Sequence, residues 1–364
     1  MNPALRRFPL VARFRPACLP LPQRVQALTD LAETARASSD QGTASAVFNQ
    51  AALIASDVGL PRLAAAWCHQ HAHGYLHACP LPGMTAIRAL EPVVNLARLQ
   101  IRAGLPDSGR QRLLALYKVV DTGTDGHFDD ITVPAHLTSS PEDRREVRAW
   151  LWRVLLADGT RTLTASGRWA EALAHIETHR GIGRHMLDGR QVAVLASIAS
   201  GETERVQQLL AETEPGDPWE QLVTACLAEL ARRGLGQTIP PPMTDLATAY
   251  LEHPDGHGLT VFDIRMGLTA LDIIGTRSAA ARRIVHDLHR RTAEAWDGYA
   301  AREILAHPVF TALASDQQLQ DCHSLVAECG LEAGRLPNDL RRQLISALVV
   351  SDGVIRDSLQ RAAT

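Results

Sequence analysis

The chain has 364 residues, of which 46% are hydrophobic and 21% are charged, and its formal net charge is −3. This composition provides enough apolar residues for a large core. The mixed, nearly balanced charge excludes a globally basic nucleic-acid binder and a disordered acidic chain. Lys118 is the single lysine, so arginine supplies nearly all of the positive charge. With abundant Ala, Gly and Pro, this arginine use is typical of proteins from GC-rich bacteria and is not interpreted as an RNA-binding signature.

The cysteines and the hydropathy pattern indicate the compartment. Six scattered cysteines form no C-x-x-C pair, which predicts buried thiols in a reducing environment. No stretch of about eighteen apolar residues is present, so no membrane-spanning helix is expected. Arg13, Arg15, Pro16 and Pro20 interrupt the N-terminal apolar stretches, so no signal peptide is expected. The sequence therefore predicts a cytoplasmic protein, and no motif calls for a cofactor.

The N-terminal residues are basic. Residues 1–29 contain five arginines and no acidic residue. One interpretation is a basic arm that binds an acidic partner. The interpretation preferred here is an extension that packs on the first helices through Phe8, Leu10, Val11 and Phe14.

From Gln23 onward the apolar residues recur at helical spacing. Gly59 and Pro61 predict the end of one helix and the start of the next, because glycine suits a left-handed cap and proline suits a first turn. A similar turn between two helices is predicted at three further glycines, Gly104, Gly167 and Gly201. Five positions after these four glycines stand Ala64, Gly109, Ala172 and Val206, respectively. Small residues there predict close approach of antiparallel helices.

One of these turns resembles a known family. The segment from Ala165 to Leu173, with Gly167, Trp169 and Ala172, resembles the turn of a tetratricopeptide repeat. The resemblance implies an all-α fold in which stacked antiparallel helical hairpins form a tetratricopeptide-like solenoid with no significant sheet. It also implies a peptide or protein partner bound on the concave face.

Breaks in the helical pattern suggest a domain division. Residues 122–141 are rich in Gly, Asp, Thr and Ser and are expected to form a long loop. The predicted division is a basic extension at 1–22, a tetratricopeptide-like repeat region at 23–234, a proline-rich linker at 235–243 and a C-terminal helical region at 244–364.

Two clusters suggest metal chemistry. His69, His73 and His77 are four residues apart and share a helical face if the helix continues through Gly74. Histidines at this spacing can bind a transition metal, although no H-E-x-x-H motif and no acidic residue accompany them. A partly exposed polar face is the preferred interpretation.

The second cluster, the adjacent pair Asp129 and Asp130, lies in the expected loop and could hold Mg²⁺ or act in acid/base catalysis. A solvated pair is the simpler interpretation.

The preferred binding site follows from the geometry that the solenoid would have. In repeat proteins, one helix of each hairpin lines the concave face. On the two helices expected at 86–103 and 141–158, polar side chains form a stripe, and Asn and Arg there can hold a peptide backbone or a terminal carboxylate. The stripe residues are Asn95, Arg98 and Arg102 on the first helix and Arg145, Arg148 and Trp152 on the second.

Three functions remain open at this point. The first is a non-catalytic scaffold, with a possible regulatory role, that binds a peptide or protein. The second is an all-α metal-dependent enzyme with its site near His69–His77 or Asp129–Asp130. The third is a peptide-sensing regulator that lacks its own DNA-binding head, because residues 1–60 contain no helix-turn-helix pattern. Direct nucleic-acid binding is not expected, and a homodimer remains open.

Overall fold

A computed structural model describes residues 3–234, 243–276 and 278–363, and helices dominate these residues. The strands are β1 (Gly126–Phe128) and β2 (Ile131–Val133). The α-helices are α1 (Leu21–Ser38), α2 (Gln41–Asp57), α3 (Pro61–Leu76), α4 (Gly83–Arg102), α5 (Pro106–Thr122), α6 (Pro141–Val154), α7 (Thr160–Thr164), α8 (Trp169–Thr178), α9 (Asp188–Ser200), α10 (Thr203–Ala211), α11 (Pro218–Gly234), α12 (Met243–Leu251), α13 (Thr260–Ile274), α14 (Ala279–Ala295), α15 (Gly298–Leu305), α16 (Pro308–Leu313), α17 (Asp316–Glu328) and α18 (Asn338–Ala363). A 3₁₀ turn spans Pro3–Arg7, and a π-helical turn spans Leu155–Gly159. The predicted all-α fold of stacked antiparallel helical hairpins is confirmed.

The glycine-marked turns have the predicted backbone conformation. Gly59, Gly104, Gly167 and Gly201 have φ angles of 83°, 80°, 71° and 77°, a region that glycine enters at little cost. After Gly59 the next helix begins at Pro61, as predicted, and after Gly104 the next helix likewise begins at a proline, Pro106. These turns therefore arise from local backbone sterics.

The chain forms two compact units, and each contains two separate stretches of sequence. Unit 1 consists of Met1–Leu19 and Thr160–Cys329, and unit 2 consists of Pro20–Gly159 and Gly330–Thr364. This division differs from the predicted one, which assumed that each domain is continuous in sequence. Most of the predicted linker at 235–243 lies outside the described residues, and α12 begins at Met243.

In unit 2, each of the helices α1 to α6 contacts the next. The alternate helices α2, α4 and α6 also form a row, since α2 contacts α4 and α4 contacts α6. Helix α18 returns from the far end of the sequence to pack on α1, α2 and α3. A single apolar cluster, which includes Phe48, Leu90 and Leu344, fills the space between them.

In unit 1, the buried helix α13 packs against α11, α12, α14 and α15. In the N-terminal extension, Phe8 and Leu10 are buried. It packs on helices of unit 1, including α13, so the expectation that it packs on the first helices was wrong. Its apolar side chains find their partners far away in sequence.

The expected loop at 122–141 contains a short β-hairpin. Gly126 pairs with Val133, and Phe128 pairs with Ile131, in antiparallel register. Phe128, Ile131 and Val133 point into the core, and the residues between them are exposed. The alternation of apolar and polar residues is too short to have been interpreted as a strand. Among the described residues this hairpin is the sole sheet.

Two further sequence expectations can be compared with the structure. Five of the six cysteines are buried, and burial raises the pKa of Cys68 and Cys226 to about 12. Among the described helices, none is both long and apolar enough to cross a membrane.

Gly109 provides a test of the close helix approach in unit 2. A Cβ at this position would lie 2.6 Å from the carbonyl oxygen of Ala97 and 2.5 Å from the Ile101 side chain. We expect Gly109→Ala to lower the free energy of unfolding by about 1–3 kcal/mol, because α4 and α5 must separate. Urea denaturation followed by circular dichroism measures this change.

Gly353 on α18 is the matched control, because nothing lies within 4 Å of a Cβ added there. Gly353→Ala should stabilise the protein by about 0.5–1 kcal/mol through helix propensity alone. Equal effects of the two substitutions would show that α4 and α5 are not closely packed at Gly109.

Candidate functional site

Helix α4 carries a polar network that joins three helical segments of unit 2. The Asn95 amide donates to Oδ1 of Asn49 on α2 at 2.9 Å, and its own Oδ1 accepts from Arg98 Nη1 at 3.0 Å. Arg98 Nε donates to Oδ2 of Asp158, in the π-helical turn after α6, at 2.9 Å. The Asn49 amide donates to Glu91 Oε2 at 2.6 Å. We call Asn49, Glu91, Asn95, Arg98 and Asp158 the polar ladder.

The two ends of the polar ladder differ in charge and exposure. At one end, burial raises the pKa of Glu91, and the hydrogen bond from Asn49 partly opposes this effect. At the other end, the Arg98 side chain is 47% exposed and its partner Asp158 is 25% exposed. The ladder therefore presents a guanidinium group to solvent, next to an amide that is already oriented by hydrogen bonds.

Arg102 extends this polar face by one more turn of α4. Its Nη1 donates to Ser56 Oγ at 2.9 Å and to Asp57 Oδ1 at 3.2 Å. The other oxygen of the buried Asp57 accepts from Arg24 of α1 at 2.7 Å. Arg102 is thus held in place by α2 and still has 42% of its side chain exposed.

The predicted residues on α6 form hydrogen bonds in other directions. Arg145 pairs with Glu142 on its own helix, and Arg148 Nη1 donates to Oδ1 of Asp121 on α5 at 3.0 Å. Trp152 is half-buried. The structure therefore brings Asn95, Arg98 and Arg102 into one network with α2, whereas the two α6 arginines bond away from it.

Sequence reasoning missed Asn49 and Asp158, which complete the network. Asn49 lies on α2, where the sequence pattern predicts an apolar helix face and gives no signal for a polar partner. Asp158 reaches Arg98 from a π-helical turn, and such a turn shifts side chains away from the α-helical spacing on which the prediction relied.

The histidine and aspartate clusters, which were predicted as separate sites, lie together. His69 Nδ1 pairs with the carboxylate of Asp130, and His73 Nε2 lies 3.3 Å from the Asp130 carbonyl oxygen. Arg112 of α5 donates to Asp129 Oδ2 at 2.7 Å. The aspartates form the turn of the β-hairpin, so these contacts fix the hairpin between α3 and α5.

The third histidine is separate from this contact. Helix α3 continues through Gly74 as expected but ends at Leu76, and His77 Nδ1 lies 3.0 Å from the His73 carbonyl oxygen. In the part of the chain that the structure describes, no three His, Cys, Asp or Glu residues are grouped so that they could hold a metal ion. The contacts of His69, His73 and Asp129 join α3, α5 and the hairpin within unit 2.

Ser45 and His71 form a buried pair with the spacing of a nucleophile and its base. Ser45 Oγ lies 2.8 Å from His71 Nε2, and the two residues are 2% and 1% exposed. Burial lowers the pKa of His71 to about 3, and the ring stacks on Phe48. An active hydroxyl must be reached by its substrate, so this pair is a polar contact inside the core.

Unit 1 contains a buried ion cluster around Asp263. Burial raises the pKa of this carboxyl to about 7, and the nearby Asp255 and Asp287 add to the effect. His253 Nε2 lies 3.7 Å from Oδ1, and Arg291 Nη1 lies 4.0 Å from Oδ2. The positive charge of Arg291 opposes the rise in the pKa of Asp263, but Arg291 makes its shorter contacts with other groups.

The contacts of Arg291 favour a structural interpretation of this cluster. Its Nε donates to Asp287 Oδ2 at 2.6 Å, its Nη2 donates to the His253 carbonyl at 2.8 Å, and it pairs with Asp255. An acid that titrates near neutral pH occurs in catalytic sites and in structural ion networks. Asp263 is 2% exposed, and the groups around it hold the loop between α12 and α13.

The comparisons with known proteins do not assign a family. No family model matches the chain, and no curated protein matches it. A solved structure described as "Circular tandem repeat protein with novel repeat topology and enhanced subunit contact surfaces" aligns with 93% of this chain and 72% of its own. The identity is 15% and the TM-score is 0.19, so the fold assignment rests on the helices of this chain alone.

The raised pKa of Asp263 predicts a specific pH dependence of stability. The ordinary value is 3.8 and the folded value is about 7, so folding favours the protonated acid. Its stabilising contribution is complete below about pH 4 and is lost as the pH rises through 7. We expect Asp263→Asn to raise the melting temperature at pH 8 by about 2–4 °C and to give a smaller gain at pH 5, where only part of this contribution has been lost.

Asp272 on the same helix is the matched control with the opposite sign. Burial raises the pKa of Asp272, but hydrogen bonds from His307 and Arg7 outweigh burial and the net pKa is lowered. Its carboxylate stabilises the fold above the unfolded pKa, and this contribution is lost as the pH falls through the folded value. Asp272→Asn should therefore lower the melting temperature at pH 8. The same response from both variants would refute the assignment at Asp263.

Proposed function

We propose that the chain is a non-catalytic helical scaffold that binds a peptide or protein through the polar ladder and Arg102, and that it regulates this partner. The observation that supports the proposal most is the position of Arg98. Its side chain is half exposed, lies beside the oriented Asn95 amide and belongs to a row of alternate helices.

The chemistry of the polar ladder suits a terminal carboxylate or a peptide backbone. A guanidinium fork binds a carboxylate through parallel charge-assisted hydrogen bonds, and an amide can bind the adjacent peptide group. In the structure Arg98 is paired with Asp158, so a ligand carboxylate would have to replace the Asp158 carboxylate. A partly exposed ion pair contributes only about 0–1 kcal/mol, so the cost of this exchange is small.

The α6 residues extend the proposed site. Arg145 and Arg148 are exposed and Trp152 provides flat, half-buried apolar area, so a longer ligand could contact them beyond the ladder. The tetratricopeptide-like repeat, an origin in GC-rich bacteria and a cytoplasmic location belong to this proposal as further predictions.

A peptide library tests the proposal. Random hexapeptides are immobilised through their N-termini, with the C-terminus either free or amidated, and retained sequences are measured by fluorescence polarisation. We expect retention of peptides with free carboxylates. Arg98→Ala should weaken their binding about ten- to a hundredfold, the effect of losing one hydrogen bond to a charged group.

The controls separate this site from other arginines and from the histidines. Arg36→Ala removes an exposed arginine that pairs with Glu33 on α1 and should leave binding unchanged. The triple change of His69, His73 and His77 to Gln should also leave it unchanged. Loss in the histidine variant with full binding in Arg98→Ala would contradict the proposal. Arg148→Ala reports whether the ligand reaches α6.

A further inference from the structure

Residues 8–19, which we call the arm, cross unit 1 without forming a helix or strand. The Leu10 amide donates to Oε1 of Gln191 at 2.7 Å, and the Gln191 amide donates back to the Leu10 carbonyl at 2.7 Å. The Arg15 amide donates to the Gly258 carbonyl at 2.8 Å. Arg161 donates to the Pro9 carbonyl at 3.1 Å. A single side chain thus recognises both main-chain groups of one arm residue.

The arm is also held at its C-terminal end. The Cys18 amide donates to Oδ1 of Asp297 at 2.9 Å, and the Cys18 carbonyl accepts from the Gly298 amide at 2.9 Å. The same carbonyl accepts from Cys329 Sγ at 2.8 Å. These contacts hold both ends of the segment from Pro9 to Cys18, which at full extension covers at most roughly 30 Å.

The groups that bind the arm are buried. Gln191 is 0% exposed and Asp297 is 1% exposed. Each keeps one partner in the rest of unit 1, since Gln191 also donates to the Met186 carbonyl and Asp297 also accepts from the Tyr299 amide. The arm supplies their other hydrogen bonds and part of their cover. Unit 1 therefore contains buried polar side chains whose partners are main-chain groups of an extended segment.

A smaller set of contacts involves the side chains of the arm. Leu10 is 2% exposed, so its position accepts an apolar residue. Arg13, half exposed, pairs with Asp188 at the start of α9. The Arg15 guanidinium lies 3.9 Å from the centre of the Tyr299 ring, a cation–π contact. These contacts define a pattern of a buried aliphatic residue followed by spaced arginines.

We propose that this surface, the arm groove formed by Arg161, Asp188, Gln191, Gly258 and Asp297, is a binding site for an extended segment of a partner protein. The arm is the tethered occupant that such a segment replaces. The segment presents an aliphatic residue after a proline and an arginine three residues later, as Pro9, Leu10 and Arg13 do.

Two properties of the contacts support exchange. Most of the hydrogen bonds use main-chain groups, which any extended segment provides, as in recognition by strand addition. The tether gives the arm an effective concentration on the order of millimolar, so the groove is closed to ligands at micromolar concentration until the arm is displaced or weakened. The arm thus acts as a built-in inhibitor. The groove shares no residue with the polar ladder, so either proposal can fail without the other.

A labelled synthetic peptide of residues 8–19 tests the inference on the full chain by fluorescence polarisation. Leu10→Asp with Arg13→Glu weakens the arm of the protein but leaves the groove intact, because a buried carboxylate and a like charge beside Asp188 are both unfavourable. We expect the peptide to bind this variant at least about tenfold more tightly than the wild-type chain. Adding Gln191→Ala should reverse the gain, because it removes both hydrogen bonds to Leu10.

Matched variants complete the test. Pro16→Ala changes an exposed arm residue and should leave peptide binding at the wild-type level. Arg13→Glu alone, at a half-exposed side chain, should give a smaller gain and serves if the double variant fails to give a helical spectrum. Absence of peptide binding to folded arm variants, or a gain that survives Gln191→Ala, would overturn the inference. If the arm variant forms a heterodimer with the wild-type chain, the occupant of the groove is the arm of a second copy. That result would overturn the inference that the groove binds a different protein.

Discussion

Asp57 joins four parts of unit 2 at the end of α2. Its buried carboxylate accepts hydrogen bonds from Arg24 of α1 and Arg102 of α4, and its carbonyl accepts one from the Glu332 amide at 2.7 Å. The neighbouring Val58 carbonyl accepts from the Gly334 amide at 2.8 Å. A buried charge is tolerated only when it is paired. The helical row and the segment that leads into α18 therefore depend on one shared set of partners.

Unit 1 is closed in a related way. Gln191 and Asp297 are buried polar groups that the arm satisfies, just as the carbonyls at the end of α2 are satisfied by the segment after Gly330. In both units, hydrogen-bonding groups left open by the sequential helices are matched by a segment from a distant part of the chain. The hydrogen bonds of the arm and of the segment after Gly330 thus fix where each segment packs. Apolar contacts alone are less directional.

The sequence predicts features that are determined by a few neighbouring residues. The positive φ angles at Gly59, Gly104, Gly167 and Gly201 and the helix starts at Pro61 and Pro106 follow from local sterics, so they could be read in advance. The candidate site was only partly predictable. Helical spacing placed Asn95, Arg98 and Arg102 on one face, but the partners Asn49 and Asp158 lie on other elements. His69 and Asp130 both belong to predicted clusters, but their contact depends on how the β-hairpin packs against α3.

Residues that contact each other in the folded chain are translated at widely separated times. Gln191 is translated 181 residues after its partner Leu10, and Asp297 is translated 279 residues after its partner Cys18. Helices α1 to α6 are translated early, but α18, which packs on α1, α2 and α3, is translated after all of unit 1. Nascent chains therefore expose the apolar faces of the arm and of these three helices throughout most of translation. Chaperones that bind exposed apolar segments have both surfaces available during that interval.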